Sequence, residues 1–278
     1  MFGIIIALIA TFFNEIATSI GKSRVLAKAE SIYTMGFLNL FWATIFFLLY
    51  AYLVSGEFIF LLASLPTFGV RLVLEVVQAH VTVRAIAIAD RSTFGFLRII
   101  TIPLLLFVDV ALGYTLTMPQ IVGISLIVVS FLILFAHGGL RWKGAGLVLF
   151  TAVNAVVTIS LFKYNITNFN SVEAEQSIIS IVLMGYFYLM ARFYTKERPF
   201  SYLAKPVFFA QSFAMGIGSA LLPFAYLFAP ASVITSAKRV GAILVSTLSG
   251  NIYFKEKRFA VKLVAFTLMA ASIVLLTR

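Results

Sequence analysis

The chain of 278 residues has no cysteine, two histidines and only ten Asp and Glu. The missing cysteines exclude a disulfide framework and thiolate metal sites. His80 and His137 lie far apart and form no metal-ligand cluster, so no metal site is expected. No Gly-x-x-x-x-Gly-Lys-Ser/Thr run is present, which argues against direct drive by ATP. Nothing groups a Ser, a His and an acid as a nucleophile would require, so no enzyme activity and no cofactor are expected. Charged residues make up 11% of the chain, against about 25% in a typical soluble domain.

What fills the chain instead is apolar: 62% hydrophobic residues and a mean hydropathy of +1.07. A soluble core cannot hide that much apolar surface, so the expected solvent is lipid. The net charge of +11 does not point to nucleic acid, because the cations mostly sit in short connections between apolar runs. Met1-Phe2-Gly3 offers no basic segment and no small-residue cleavage site follows, so the first run reads as a retained helix.

Crossing about 30 Å of hydrocarbon takes about 20 apolar residues. Ten runs qualify: 2–20, 33–54, 66–88, 93–112, 118–136, 145–162, 177–194, 206–228, 231–251 and 259–277. The expected fold class is therefore all-α integral membrane with ten transmembrane helices. Breakers mark the connections, among them Ser55-Gly56, His137-Gly138-Gly139 and Ala229-Pro230.

The chain also repeats itself. Thr11, Asn14 and Thr18 recur 140 residues later as Thr151, Asn154 and Thr158, Lys22 recurs as Lys163 after a one-residue slip, and Arg98 falls on Arg239 at an offset of 141. Two units follow, 1–137 and 138–278, each of five helices. An odd count inverts the second unit, the plan of secondary transporters that bind near the midplane between repeats. Connections after odd-numbered helices hold fourteen Lys and Arg, from Lys22 to Lys262, whereas Lys163 stands alone after the even-numbered ones. By the positive-inside rule the basic side is cytoplasmic and both termini lie outside.

Two stretches invite a family comparison: LFAPASVITSAKRVGAILVSTLSGNIYFKEKRFAVKLVAFTLMAASIVLL (Leu227–Leu276) and LTMPQIVGISLIVVSFLILF (Leu116–Phe135). The first, with its Lys238-Arg239 pair and its Phe254-Lys255-Glu256 ending, resembles the closing helices of EamA-type members of the drug/metabolite transporter superfamily. The second is similar to that family's fifth helix. The resemblance implies a ten-helix carrier with helices one to four and six to nine around a central cavity, and helices five and ten at the periphery. It also implies, from related sugar-phosphate and nucleotide-sugar carriers, that Lys238-Arg239 meets an anion. The chain departs from the pattern in two ways: Gly113–Thr117 lacks the usual Glu or Lys, and the family's termini are commonly cytoplasmic.

Buried polar residues name the candidate site. Arg239 lies ~13 Å into its helix, where an Arg costs ~2.5–3.5 kcal/mol on insertion scales. Arg98 and Lys238 are its expected partners in substrate binding, although Lys238 points about 100° away from Arg239. Glu75 follows Arg71 by four residues and precedes Gln78 by three, on one helix face. Glu75 and Glu15 are candidates for proton coupling, unless an arginine holds them ionised. Asn14, Asn154 and Gln78 are candidate ligand contacts, with helix–helix hydrogen bonding as the structural alternative. Asn39, Gln211 and Asp109 rank below them, and Gly216–Pro223 reads as close packing with a kink.

The reading is an inner-membrane, multi-pass secondary transporter of a small, anionic or carboxylate-bearing metabolite. The alternatives are a lipid-linked sugar flippase of the same fold and a non-transporting membrane enzyme or scaffold. Expected partners are the lipid bilayer, a small-molecule substrate and, in a homodimer, a second copy; nucleic acid is not one of them.

Overall fold

The computed structural model describes residues 2–55, 58–111, 117–229 and 231–276. Gly56, Pro230, most of Gly113–Thr117 and the side chain of Asp109 fall outside the described residues. The described chain is helical: α1 (Phe2–Leu26), α2 (Ile32–Tyr50), α3 (Leu65–Ile88), α4 (Arg91–Leu97), α5 (Thr101–Ala111), α6 (Met118–Ala136), α7 (Ala145–Asn168), α8 (Val172–Leu189), α9 (Pro199–Tyr202), α10 (Pro206–Ala225), α11 (Ala231–Ile252) and α12 (Phe259–Leu276). Among the described residues, six spans are long and apolar enough to cross a bilayer: Phe2–Leu26, Ile32–Leu53, Leu62–Ile88, Ala145–Asn168, Val172–Tyr194 and Pro206–Ala225. Two shorter apolar helices, Ile121–Ala136 and Phe259–Ser272, accompany them. These are the features of a multi-pass membrane protein.

The local sequence explains where helices start and stop. Ser31 caps α2 by accepting from the Thr34 N–H, and Ser171 caps α8 by accepting from the Ala174 N–H. Pro66 and Pro206 open α3 and α10, where a missing N–H costs nothing. Both α2 and α8 run on into wide π turns, Ala51–Ser55 and Met190–Tyr194.

Two expectations need correction. The run 93–112 is not one helix: it tightens into a 3-10 turn at Arg98–Ile100 between α4 and α5. Pro103 explains the break, because it has no N–H to give the Ile99 carbonyl, and the Thr101 N–H serves Arg98 and Ile99 instead. The seventh helix begins at Val172 rather than 177, which brings Glu173, Glu175 and Gln176 into the helix.

The helices pack in crossed pairs: α1 with α10, α3 with α7, α2 with α8, and α6 with α12. Glycines let α10 settle between α1 and α2. A Cβ on Gly218 would overlap Asn14 Oδ1 and the Ala10 carbonyl, and one on Gly216 would overlap Trp42. Gly95 brings α4 against Ser246 of α11 in the same way.

Candidate functional site

A cavity of about 280 Å³ lies between α1, α2, α3, α7, α8, α10 and α11. Its walls come mainly from the second halves of α2, α7 and α10 and the first halves of α3, α8 and α11, so it lies toward the side of the bundle away from the basic connections. Four cations line it, Arg71, Arg98, Lys238 and Arg239, against one carboxylate, Glu75.

Arg239 is 2% exposed. Its Nε donates to the Thr101 hydroxyl at 3.0 Å, and that hydroxyl donates to the Arg98 carbonyl at 2.7 Å. The 3-10 turn thus ties the two arginines together, while Arg239 Nη2 and Arg98 Nε are buried with no hydrogen-bond partner among the described residues. Arg98 also stacks over the Phe94 ring at 5.1 Å. Lys238 lines the cavity beside Arg239 despite the 100° between adjacent positions, because the cavity spans both faces of α11.

Arg71 is held differently. Its Nη1 donates to Glu175 Oε1 at 2.7 Å, Glu75 lies 3.7 Å from Nη2, and the guanidinium covers the Phe162 ring at 4.6 Å. Asn165 and Asn170 donate to the two oxygens of Glu175, at 2.8 and 2.5 Å. Glu175 is therefore saturated, and Glu75 shares a cation that is already committed.

Six of the eight sequence candidates line this cavity: Arg239, Lys238, Arg98, Asn14, Gln78 and Glu75. Asn154 stands behind the wall, donating to Gln78 Oε1 at 2.9 Å and the Leu74 carbonyl at 3.1 Å. Glu15 is in an ion pair with fully buried Arg91. Arg91 had counted as a connection cation, but it opens α4 inside the protein. Lys22 and Lys262 are buried on the same side. Lys22 donates to the Ala89 carbonyl that ends α3, and Lys163 donates to the Tyr226 carbonyl that ends α10 at 2.6 Å. The sequence reading had not named Arg71, Gln176, Ser180 or Tyr226 as site residues, although all line the cavity. Ser171 before Glu173 and Glu175 is a helix-start signal that would have exposed the Gln176 and Ser180 wall.

On the basic side two carboxylates each hold the start of a helix. Glu197, after α8, accepts from the Ser31 N–H at 3.0 Å, from the Ser31 hydroxyl at 2.6 Å and from the Thr34 hydroxyl. Glu256, after α11, accepts from the Arg91 N–H at 2.6 Å and from the Ser92 hydroxyl, and pairs with Lys262 at 3.0 Å. Each carboxylate sits on a helix N-terminus, where partial positive charge favours it. Each follows a lysine with positive φ, Lys196 at 58° and Lys255 at 50°. Burial pushes the Glu256 carboxyl up, but the Ser92 hydroxyl, the Lys262 ammonium and the Arg91 N–H outweigh it and hold the group below the ordinary value. No family model matches the chain, and a search of curated proteins finds no match to it.

Proposed function

We propose that the chain is a secondary carrier of the EamA type in a cell's inner membrane, with ten transmembrane segments in two inverted five-helix repeats, 1–137 and 138–278. It moves a small anionic metabolite, carboxylate- or phosphate-bearing, by alternating access. The observation that carries this reading is the cavity's surplus of cations, with donors on Arg98 and Arg239 that are buried and unpaired. A buried guanidinium N–H without a partner is costly, and an anion in the cavity supplies the missing acceptor.

Paired features support the repeat. Ser31 and Ser171 cap α2 and α8 alike, and both helices end in π turns. Lys22 of α1 caps α3 while Lys163 of α7 caps α10, and Asn154 of α7 reaches α3 while Asn14 of α1 meets Ser219 of α10 at 3.5 Å. Each contact maps onto the other when the halves are exchanged. In this reading Glu75, only loosely held by Arg71 and partly exposed to the cavity, exchanges the proton coupled to transport. Glu15 is committed to its ion pair with Arg91.

The test is a thermal-shift screen of purified protein with anionic, zwitterionic and cationic metabolites, run beside Arg239→Ala. An anion should raise the wild-type melting point by mass action, with that rise lost in Arg239→Ala. Stabilisation by cations or neutral solutes only, or an unchanged response in the variant, would overturn the reading.

A further inference from the structure

Beside these helix-start contacts on the basic side lies one carboxyl that they do not use. Glu30 lies in the connection between α1 and α2, directly before the Ser31 that Glu197 holds. It is 3% exposed, and neither of its oxygens accepts a well-formed hydrogen bond. Its neighbour is Gln211 of α10, fully buried and close enough to act on the carboxyl, although neither its amide nitrogen nor its oxygen makes a well-formed hydrogen bond among the described residues.

The other polar and charged groups facing Glu30 come from each element around it. Arg24 of α1 lies near it with a buried and unpaired Nε, Glu197 approaches from the α8–α9 connection, and Tyr202 of α9 completes the set. None of the ion pairs found among the described residues includes Glu30. Glu15, Glu75, Glu175 and Glu256 each have a cation within 3.7 Å.

An ionised Glu30 would be a buried charge in no ion pair among the described residues, with a second carboxylate nearby, which is costly. A neutral Glu30 has an O–H to give Gln211 Oε1 and a carbonyl oxygen to receive the Gln211 amide, so one proton satisfies both side chains. We propose that Glu30 is a proton-binding site that holds the basic side closed, protonated while Glu197 grips Ser31 and ionised once that clamp opens and water enters. The proton leaves to solvent water on that side, and Arg24 is at hand to face the carboxylate that remains. This inference deepens the carrier reading, within which it makes Glu30 the site of proton exchange with the basic-side solution.

Burial pushes the Glu30 carboxyl up to about 8, with Glu197 adding to the rise and Gln211 and Arg24 opposing it. In the open, wetted state the group returns toward the ordinary Glu value of about 4.3. The closed state is thus fully stabilised below that ordinary value, and it loses stability progressively as pH rises through about 8.

The experiment is hydrogen exchange on residues 29–36 of the purified full chain, wild type beside Glu30→Gln, at pH 6 and pH 9 after correction for intrinsic rates. Between these pH values, opening of the Ser31–Thr34 amides should increase more than about tenfold in wild type and hold steady in Glu30→Gln, whose neutral amide cannot ionise. Equal opening of wild type at both pH values, or an increase that survives in Glu30→Gln, would overturn the proposal. If Glu30→Gln does not fold, infrared difference spectra of Glu75→Gln, which keeps Glu30, decide: loss of a protonated-carboxyl band between pH 6 and 9 supports the proposal, and no such band sinks it. No substrate enters either measurement, so its outcome is separate from that of the Arg239→Ala screen.

Discussion

Arg71 shows how this protein keeps charge inside its helices. One guanidinium serves Glu175 at 2.7 Å and Glu75 at 3.7 Å while it covers the Phe162 ring. Removing one member of such a pair leaves the other charge buried alone, which costs about 3–5 kcal/mol. Glu175→Gln should accordingly lower the melting point sharply, whereas Glu75→Gln, which removes the longer and wetter contact, should cost much less. Differential scanning fluorimetry of the two variants checks the order, and equal losses would show that Glu75 is as structural as Glu175. Arg98 and Arg239 are tied to each other through Thr101 rather than to any acid. Their cost in stability is not offset within the protein, which is the physical ground for expecting a ligand between them.

At the scale of the helix, backbone approach decides what each side chain can reach. Asn14 faces the cavity beside Ser219 because Gly218 admits α1 into the surface of α10. Gly218→Ala would force a methyl group into Asn14 Oδ1 and the Ala10 carbonyl. We expect a loss of about 1–3 kcal/mol, the usual cost of overpacking, together with weaker ligand stabilisation as Asn14 is pushed aside. Gly69, whose Cβ would meet nothing within 4 Å, is the control: Gly69→Ala should be neutral or slightly stabilising in the same denaturation assay. The break at Arg98–Ile100 belongs to this scale too. Pro103→Ala would restore the N–H for Ile99, straighten α4 into α5 and shift Arg98 relative to Arg239. Anion-induced stabilisation should fall while helical content measured by circular dichroism holds or rises.

Across the whole molecule, the cavity lies toward one side of the bundle and the Glu197 and Glu256 contacts lie on the other. Under the proposed alternating access, opening the basic side would have Glu197 and Glu256 release the starts of α2 and α4. Because the chain lacks cysteine, single-cysteine labelling is clean. A cysteine at Met35, fully buried behind the Glu197 clamp, should react slowly with a membrane-impermeant maleimide and at least about tenfold faster in a Glu197→Gln background. An unchanged rate would mean that the clamp does not govern access. The same reagent applied to Lys257→Cys from one side of sealed vesicles of known orientation reports which compartment the basic side faces, with cytoplasmic placement expected from its charge.

Sequence alone settled that the chain is apolar, helical and punctuated at the right places. The described residues are helical almost throughout, with six spans long and apolar enough to cross a bilayer, because hydropathy and helix-start chemistry are local properties that need no partner. It also picked out Arg98, Lys238, Arg239, Asn14, Gln78 and Glu75, since a polar group within an apolar run must be satisfied somewhere. Which partner satisfies it is a tertiary matter. Glu15 and Glu75 look alike in the chain, yet one meets Arg91 and the other a shared Arg71, across helices that sequence does not order in space. Glu30 had no mark at all in a short polar connection. Only the packing of α10 and the Glu197 clamp against it withdraws that carboxyl from water, and burial, which depends on everything around a residue, decides what it can do.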